Sequence, residues 1–308
     1  MAKLSVVIPV YNEEVCIPEL HRRLTESLQR DFQGFEYELI FVDDGSRDGS
    51  MKLLLDLKAR DTRVKVIEFS RNFGHHIAIT AGLDYASGDY VVMMDGDLQD
   101  KPEEVIKLYQ KLYEGFDVVY GERIDKKFSL MKRLNSAVFN WAIRRLIDEP
   151  IVINSTIFRI MTKQVVQSMK LLRERNRYVV GVVGWVGFKH AGQPVDHGER
   201  FAGETKYHLR QQLTLALNAA CSYSTHTLTL ITRIGFGFVI ASVLLVASIL
   251  LRKILYNTPV MGWTSLVFMI LAVGGMQIIM LGMIGEYVGR NFIEGKNRPL
   301  YIIRRVYD

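Results

Sequence analysis

The sequence predicts an α/β protein whose mostly parallel sheet carries helices on both faces and is followed by a membrane-associated C-terminal part. Short apolar runs alternate with helical patterns over residues 1–120, as in chains of strand–helix–strand units. These runs are nearly free of polar residues, which is typical of strands buried on both faces. Apolar side chains dominate residues 234–285, so the 308-residue chain has a positive mean hydropathy despite a net charge of +6.

Local patterns then place each element in order. Runs rich in Val and Ile predict strands at residues 4–10, 37–42, 64–69 and 90–94, and a fifth strand that begins at Val118. Apolar residues at helical spacing predict the intervening helices, at residues 12–28, through 51–57 and at 75–86, with a further helical turn starting at Pro102.

Polar residues follow each of the first four predicted strands. Because the carboxyl ends of parallel strands meet at one edge of a sheet, we expect these residues to converge on a ligand site. No G-x-G-x-x-G follows the first strand and no P-loop motif occurs, which disfavours dinucleotide oxidoreduction and P-loop hydrolysis. The converging sets are Tyr11-Asn12-Glu13, Asp43-Asp44, Arg71-Asn72 and Asp95-Gly96-Asp97.

Asp95 and Asp97 form the most informative pair. Side chains at i and i+2 point to the same side of an extended segment, and two carboxylates there suit a hard divalent cation such as Mg²⁺ or Mn²⁺. Gly96 between them lets a ligand approach the backbone. The alternative is a solvated acidic turn.

Four motifs follow the predicted strands, at residues 7–14, 42–46, 70–74 and 95–100. In residues and order they resemble those of an inverting family-2 glycosyltransferase with the GT-A fold. Residues 177–187, 200–207 and 281–290 add a closer resemblance to the polyprenyl-phosphate glycosyltransferases, the group of dolichol-phosphate mannose synthase and bactoprenol glucosyltransferase. The resemblance covers nearly the whole chain.

The resemblance implies a role for each residue at the strand ends. Asp95 and Asp97 are implied in catalysis, and Asp97 and Gln99 would hold Mg²⁺ or Mn²⁺ on the diphosphate. Asp44 and Asp48 could instead cap the next helix, which we prefer for Asp48, and Arg71 could form a structural ion pair. The implied nucleotide-sugar-binding residues are Pro9, Tyr11, Asn12, Glu13, Asp43, Asp44, Arg71, Asp95 and Gly96.

One position departs from the family pattern. The family usually shows Gly-Asp-Phe-Arg-Leu, whereas residues 154–160 here place Ile157 where an aspartate is usual. Isoleucine can neither take a proton nor bind a sugar hydroxyl. A phosphate monoester, with a second pKa of about 6, can still attack without a general base. Ile157 therefore bears on which sugar is recognised, and a donor that lacks or masks one hydroxyl would suit this apolar side chain.

Basic residues on the acceptor side suit the phosphate of a lipid, since Arg offers a bidentate fork and Lys a point charge. Arg123 and Arg200 are also candidates for catalysis. The alternative is a basic patch that is attracted to anionic headgroups. Lys126 and Lys127 are interpreted as solvated charges, and His75 and His76 receive no chemical role. The expected phosphate ligands are Arg123, Lys132, Arg200 and Lys206.

The C-terminal third predicts membrane attachment. Residues 209–228 are interpreted as an interfacial amphipathic helix, and the uncharged runs 234–251 and 263–284 as two transmembrane helices. The predicted domains are a catalytic domain (1–208), this interfacial helix, a two-helix membrane domain (229–290) and a tail (291–308). Lys and Arg are frequent on the outer flanks of the two predicted spans and rare in the short loop between them. Because positively charged flanks stay on the cytoplasmic side, the catalytic domain and the tail are predicted to lie in the cytoplasm, at a bacterial cell membrane.

The predicted activity is transfer of a sugar, with inversion, from a nucleotide sugar (UDP-glucose or a related UDP-hexose favoured) to the phosphate of a polyprenyl phosphate. The expected partners are these two substrates, membrane lipids and further copies of the chain, since the glycines of the spans permit close helix packing; no nucleic acid is expected. The two cysteines, Cys16 and Cys221, lack metal-ligand spacing, which favours a reduced compartment. The alternatives are a processive polysaccharide synthase and a non-catalytic scaffold that binds nucleotide sugars.

Overall fold

The computed structural model describes residues 1–123, 156–175, 177–198 and 262–308, together with scattered residues between 233 and 255. Within these ranges the strands are β1 (Lys3–Val10), β2 (Glu36–Asp43), β3 (Val64–Phe69), β4 (Tyr90–Met93), β5 (Val118–Arg123), β6 (Arg159–Thr162), β7 (His190–Val195) and β8 (Ile303–Tyr307). The helices are α1 (Ile17–Asp31), α2 (Ser50–Arg60), α3 (His75–Tyr85), α4 (Val105–Tyr113), α5 (Lys163–Leu171), α6 (Val179–Trp185) and α7 (Trp263–Gly295).

The described strands form one sheet in the order β7-β5-β6-β4-β1-β2-β3-β8. Strands β1 to β4 are parallel neighbours, whereas β6 runs antiparallel to β4 and β5, and β8 antiparallel to β3. The mostly parallel α/β sheet that the sequence predicts is therefore confirmed. Because β1 to β4 run in one direction, the loops that follow them emerge at one edge of the sheet.

Helices cover both faces of the sheet, as predicted. On one face, apolar residues of α1, α2 and α4, such as Leu24, Leu54 and Leu108, share one core with alternate residues of β1 and β2. On the other face, α3 packs on β1 and β2, and α5 packs on β4 and β6, within a second core that also includes α6. Since both faces are buried, the inner strands need apolar residues at every position, which explains their continuous apolar runs.

The start of the first helix differs from the prediction. The sequence placed it at residues 12–14, but α1 begins at Ile17. Asn12 has a φ of 56°, in the left-handed region, which a right-handed helix cannot continue. Pro18 lies in the first turn of α1, where its missing N–H removes no helical hydrogen bond. The residues between β1 and α1 therefore form a loop at the site edge of the sheet.

Three short strands lie outside the elements that the sequence predicts. β6 has four residues, β7 contains Gly and Pro, and β8 follows α7 near the C-terminus. β8 lies in the segment assigned to a tail, yet it pairs with β3. The chain divides into two compact units, and residues Pro299–Asp308 belong to the first, with Met1–Asn140 and Glu149–Tyr207.

The second unit comprises Trp141–Asp148 and His208–Arg298, and its principal described element is α7. Many apolar side chains of α7 are exposed, including Leu266, Ile270 and Leu281. Among the described residues, no helix is both long enough and apolar enough to cross a membrane. Much of the predicted span at 234–251 and all of the predicted interfacial helix lie outside the described residues, so the two spans stay a prediction.

Candidate active site

The loop after β2 carries two buried carboxylates. Asp43 and Asp44 are 3% and 2% exposed. Oδ2 of Asp43 accepts a hydrogen bond from the backbone N–H of Ser46 at 3.2 Å, while its Oδ1 is buried and has no hydrogen-bond partner among the described residues. Burial raises the pKa of both carboxyl groups, and the amide donors around them offset this only in part. Oδ1 of Asp43 is thus a buried acceptor that is unpaired among the described residues.

Asp44 holds the β3–α3 loop (residues 70–74) in place. Its two oxygens accept the backbone N–H groups of Phe73 at 2.6 Å and Gly74 at 2.9 Å. Gly45, with a φ of 72°, lies so close to this loop that a Cβ atom would stand 2.7 Å from the backbone nitrogen of Asn72. The loops after β2 and β3 are therefore packed backbone to backbone. The nucleotide-binding role implied for Asp44 stays a prediction beside this observed structural role.

The loop after β1 is tied to the loop after β2. The backbone N–H of Asn12 donates to Oγ of Ser46 at 3.0 Å, and the side-chain oxygen of Asn12 accepts the N–H of Arg47 at 2.8 Å. The N–H of Glu13 donates to Oγ of Ser50 at 2.9 Å. Together with the hydrogen bonds of Asp44 to the loop after β3, these bonds bring three of the predicted strand ends together.

Three other predicted donor-site residues, Pro9, Tyr11 and Arg71, and the nearby Asp48 have distinct surroundings. Pro9 lies in β1, and Tyr11 is 43% exposed at its end. Asp48 was expected to cap α2, but the N-cap residue is Gly49; Asp48 lies one residue earlier and accepts the N–H of Ser50, the first residue of the helix, at 3.0 Å. Among the described residues Arg71 forms no ion pair; its guanidinium lies 4.1 Å from the centre of the Phe73 ring.

The loop after β4 (residues 94–101) carries the predicted metal ligands. β4 ends at Met93, so Asp95 and Asp97 lie in a turn rather than in the extended segment that the sequence predicted. The turn includes Leu98 at a φ of 63°. The backbone N–H of Gln99 donates to Oδ1 of Asp97 at 3.1 Å, which fixes the Asp97 carboxylate within this loop.

Gly96 is needed for contact between this loop and β1. A Cβ atom at Gly96 would lie 3.1 Å from the carbonyl oxygen of Pro9, closer than side chains normally pack. Gly96, which the sequence predicts to let a ligand approach the backbone, therefore also lets the end of β1 approach it. Its own contact with a ligand stays a prediction.

Two histidines at the start of α3, to which the sequence analysis gives no chemical role, lie near residues of the candidate site or pack beside them. Nε2 of His75 lies 3.3 Å from Oδ1 of Asp95, although the ring is 43% exposed. Partial burial lowers the pKa of His75, and the charge of Asp97 opposes that effect. His76 packs edge-on against the ring of Tyr178. A histidine pair that opens a helix carries no sequence signal for this proximity, which the packing of α3 creates.

The loop after β4 is also attached to the segment that leads to Arg200. Asp100 pairs with His197 in an isolated antiparallel bridge, and the N–H of Gly198 donates to the carbonyl oxygen of Gln99 at 2.8 Å. Nδ1 of His197 lies 3.6 Å from Oδ1 of Asp100. The backbone at His197 and Gly198 is thus anchored beside the acidic loop.

The position of the unusual isoleucine is well defined. Ile157 is half-buried and packs on the apolar layer beneath α3. Arg159, two residues later, is fully buried; its guanidinium donates to the carbonyl oxygens of Thr156 and Ile157. Burial lowers the pKa of Arg159 to about 10. The backbone around Ile157 is therefore fixed from below by a buried cation.

The predicted acceptor residues fall largely outside the described residues. The backbone of Arg123 ends β5 and pairs with Val195, but its side chain is not described. Lys132, Arg200 and Lys206 lie in segments that are not described. Their phosphate-binding roles stay predictions.

Comparison with known proteins identifies the family. The model of glycosyl transferase family 2 matches residues 5–169, more than half of the chain. The chain belongs to glycosyl transferase family 2. Uncharacterized glycosyltransferase YkcC of Bacillus subtilis (strain 168) is 41% identical over 304 residues, covering 98% of this chain and 94% of YkcC. A prophage bactoprenol glucosyl transferase homolog of Escherichia coli (strain K12) is 38% identical over 307 residues, covering 99% of each chain.

A solved structure of the same fold supports the assignment. Mannosyltransferase PcManGT from Pyrobaculum calidifontis, solved in complex with GDP-Man and Mn²⁺, superposes with a TM-score of 0.51 and 16% identity, over 72% of this chain and 63% of that chain. This likeness concerns the fold alone. The resemblance to family-2 enzymes that the sequence motifs predict is confirmed, and the protein is a glycosyltransferase of the GT-A fold.

Proposed function

We propose that this glycosyltransferase transfers a sugar from a nucleotide sugar, with a UDP-sugar favoured, to the phosphate of a polyprenyl phosphate, with inversion at the anomeric carbon. The observation that carries the proposal is the 38% identity to the Escherichia coli bactoprenol glucosyl transferase homolog over 99% of both chains. The shared length includes the apolar C-terminal part as well as the sheet. A lipid acceptor explains why one chain carries both the catalytic sheet domain and an apolar C-terminal part.

Asp43 supports binding of a nucleotide base. Its Oδ1 is buried and lacks a hydrogen-bond partner among the described residues, although buried polar atoms are normally paired. Uracil and guanine both carry a ring N–H that can donate to such an oxygen. This acceptor therefore fits a nucleoside diphosphate donor and leaves the choice between UDP and GDP to the remaining contacts.

Asp97 and Gln99 fit a divalent cation. Both are half-buried residues with side-chain oxygens, and the carboxylate of Asp97 accepts the backbone N–H of Gln99. Among the described residues no group of three or more His, Cys, Asp or Glu side chains could hold a metal ion. Mg²⁺ is commonly held by one or two carboxylates together with substrate phosphates, so two protein ligands suffice here. When bound, Mg²⁺ or Mn²⁺ would offset the negative charge that develops on the departing diphosphate.

The reaction needs no general base from the chain. An ionised oxygen of the lipid phosphate forms a bond to C1 of the sugar while the bond from C1 to the nucleoside diphosphate breaks, so the diphosphate leaves with the electron pair. A phosphate monoester is largely ionised at pH 7. Ile157 at the usual aspartate position is compatible with this chemistry. Arg123, Lys132, Arg200 and Lys206 are the proposed ligands of the lipid phosphate.

Membrane attachment completes the proposal. The two apolar runs would anchor the chain in a bacterial cell membrane, with the catalytic domain and tail in the cytoplasm and with several copies associated. The isoprenoid chain then stays in the bilayer while its phosphate reaches the site. Anchoring both reactants at one surface replaces a search through solution.

The test is transfer in membranes that contain the protein. These are incubated with labelled UDP-sugars, Mg²⁺ or Mn²⁺ and undecaprenyl phosphate. Label in the organic phase supports the proposal, label in a long polymer favours a polysaccharide synthase, and no turnover favours a binding scaffold. Asp97→Ala is expected to remove turnover, whereas the exposed Asp56→Ala on α2 serves as the matched control. Substantial activity of Asp97→Ala with metal present would contradict the role proposed for Asp97.

The same assay tests the role of Ile157 in donor choice. Ile157→Asp restores the carboxylate that the family usually carries, and we expect it to shift activity toward donors with a free hydroxyl facing that position. A panel of UDP-sugars measures the shift. An unchanged order of preference would refute this role for Ile157.

A further inference from the structure

The C-terminal segment (residues 301–307) completes the sheet next to the β3–α3 loop. β8 pairs antiparallel with β3, from Val66–Tyr307 at one end to Phe69–Ile303 at the other. The register shifts between Glu68 and Phe69, where β3 bends toward its loop. Pairing continues past the strand, since the N–H of Ser70 donates to the carbonyl oxygen of Ile302 at 2.9 Å. The C-terminal segment therefore holds the first residue of the β3–α3 loop directly.

Tyr301 extends this contact through side chains. Its ring stacks on Phe69 with centroids 5.3 Å apart and planes at 13°, and Phe69 in turn packs edge-on against Phe73 of the loop. The hydroxyl of Tyr301 donates to Oδ2 of Asp84 at 2.7 Å, and Arg173 binds the same carboxylate with both terminal nitrogens. Burial and the neighbouring Asp84 raise the pKa of Tyr301, so its hydroxyl remains a donor.

Arg304 adds a third contact. It donates to Oε1 of Glu68 at 3.0 Å and to the carbonyl oxygen of Ser70 at 3.4 Å. The opposite side of the same loop is held by Asp44 and by the close approach of Gly45. The loop that carries Arg71 thus lies between the donor-site loop after β2 and the C-terminal segment.

We propose that the C-terminal segment, through Tyr301 and Arg304, is a positioning element that sets the β3–α3 loop for binding of the nucleoside diphosphate. This inference rests on the proposed function, because it concerns the affinity of the same donor site. Tyr301 and Arg304 act through Phe69 and Ser70 and touch neither substrate. Loss of their contacts lets the loop move away from Asp44, which weakens nucleotide binding but leaves the reacting atoms unaltered.

The experiment measures UDP affinity, by titration calorimetry with Mn²⁺, for the full chain in detergent. Stacked aromatic pairs contribute modestly, so Tyr301→Ala is expected to weaken UDP binding by about three- to tenfold. Tyr301→Phe keeps the stack on Phe69 and is expected to bind UDP nearly as well as the wild type. In transfer assays Tyr301→Ala should raise KM for the donor by a similar factor while kcat changes little.

The matched control lies at the other end of β8. Tyr307→Phe removes a hydrogen bond to Oε2 of Glu68 without touching the loop, and its UDP affinity is expected to equal that of the wild type. Arg304→Gln tests the positioning role of the C-terminal segment at an exposed residue. It therefore provides a test even if Tyr301→Ala does not fold. It is expected to weaken UDP binding about two- to threefold.

Two results separate the possible failures. Absence of UDP binding by the wild type would contradict the proposed function itself. Binding by the wild type that is unchanged in both Arg304→Gln and a folded Tyr301→Ala would overturn the positioning role. A loss in Tyr307→Phe equal to that in Tyr301→Ala would also overturn it, because general loosening of β8 would then explain both.

Discussion

Asp43 supports a direct prediction at the residue scale. Its buried Oδ1 has no hydrogen-bond partner among the described residues, and we propose that a base N–H of the nucleotide satisfies it. Asp43→Asn replaces one carboxylate oxygen with an NH2 group, so it loses either the acceptor for the base N–H or the acceptor for the N–H of Ser46. Leaving a buried group unsatisfied costs about 1–3 kcal/mol, so we expect UDP affinity to fall roughly ten- to hundredfold.

Calorimetric titration with UDP measures this change. Asp56→Asn makes the same chemical change on the exposed side of α2 and is expected to leave UDP affinity unaltered. Wild-type affinity in a folded Asp43→Asn variant would remove Asp43 from the donor site.

His76 predicts how the stability of the domain depends on pH. Burial, with the charges of His75 and Arg159, lowers its pKa to about 4, against about 6.5 in an unfolded chain. Between these values the unfolded state binds more protons than the folded state. Stability is therefore full above pH 6.5 and falls as the pH drops toward 4, by roughly 2–3 kcal/mol in total.

The comparison is urea unfolding of the wild type and His76→Phe between pH 7 and pH 4. Phenylalanine keeps an aromatic ring against Tyr178 and cannot titrate, so the loss of stability on acidification should be smaller in the variant. Part of the dependence of stability on pH should remain in the variant, because burial also lowers the pKa of His75 and His190. Identical slopes for the two proteins would show that His76 does not carry the effect.

At the scale of elements, the sequence predicts what burial on both faces imposes. β1 to β4 are central strands, and their continuous apolar runs identify them. β7 and β8 are edge strands with polar, Gly or Pro residues, because a strand half exposed to solvent has no need of a continuous apolar run. β6 has four residues, and pairing with β4 and β5 defines it. Such strands form because they pair with distant parts of the chain, so a local sequence pattern does not predict them.

Gly45 gives a prediction about two loops. A Cβ atom there would stand 2.7 Å from the backbone of Asn72, at a φ of 72°. Gly45→Ala must push the loops after β2 and β3 apart, so we expect donor binding to fall at least tenfold, about 1.4 kcal/mol. Gly34→Ala isolates the strain, because Gly34 has a φ of 87° but nothing within 4 Å. It should cost about 1 kcal/mol of stability and no UDP affinity; equal losses of UDP affinity in both variants would contradict the loop-packing argument.

At the scale of the whole molecule, part of the candidate site follows from strand order alone. Asp43, Asp95 and Asp97 were predicted because polar residues after buried strands meet at one edge. The proximity of His75 to Asp95 and of His197 to Asp100 could not be predicted. His75 is placed by the packing of α3, and His197 by a bridge between segments almost 100 residues apart in the chain. Contacts of this kind depend on the whole fold.

The C-terminal strand joins the two ends of the chain in one sheet, which leads to a prediction about truncation. Deleting Pro299–Asp308 removes the β3–β8 ladder, the Tyr301–Phe69 stack and the contacts of Arg304. We expect a loss of about 2–3 kcal/mol, which lowers the Tm of a domain this size by roughly 5–10 °C. It also turns β3 into an exposed edge strand, which promotes aggregation.

Thermal unfolding and light scattering of the full chain and the truncated chain measure both effects. Deletion of Asp308 alone is the control: it removes only the ion pair with Lys65, in which the Asp308 side chain is 67% exposed, and exposed pairs contribute little. If the truncated chain kept the Tm of the wild type, β8 would be a passive addition to the sheet. In that case a catalytic fragment that ends before the apolar segments should be as stable as the full domain. We expect instead that such a fragment reaches full stability only when residues 299–308 are also present.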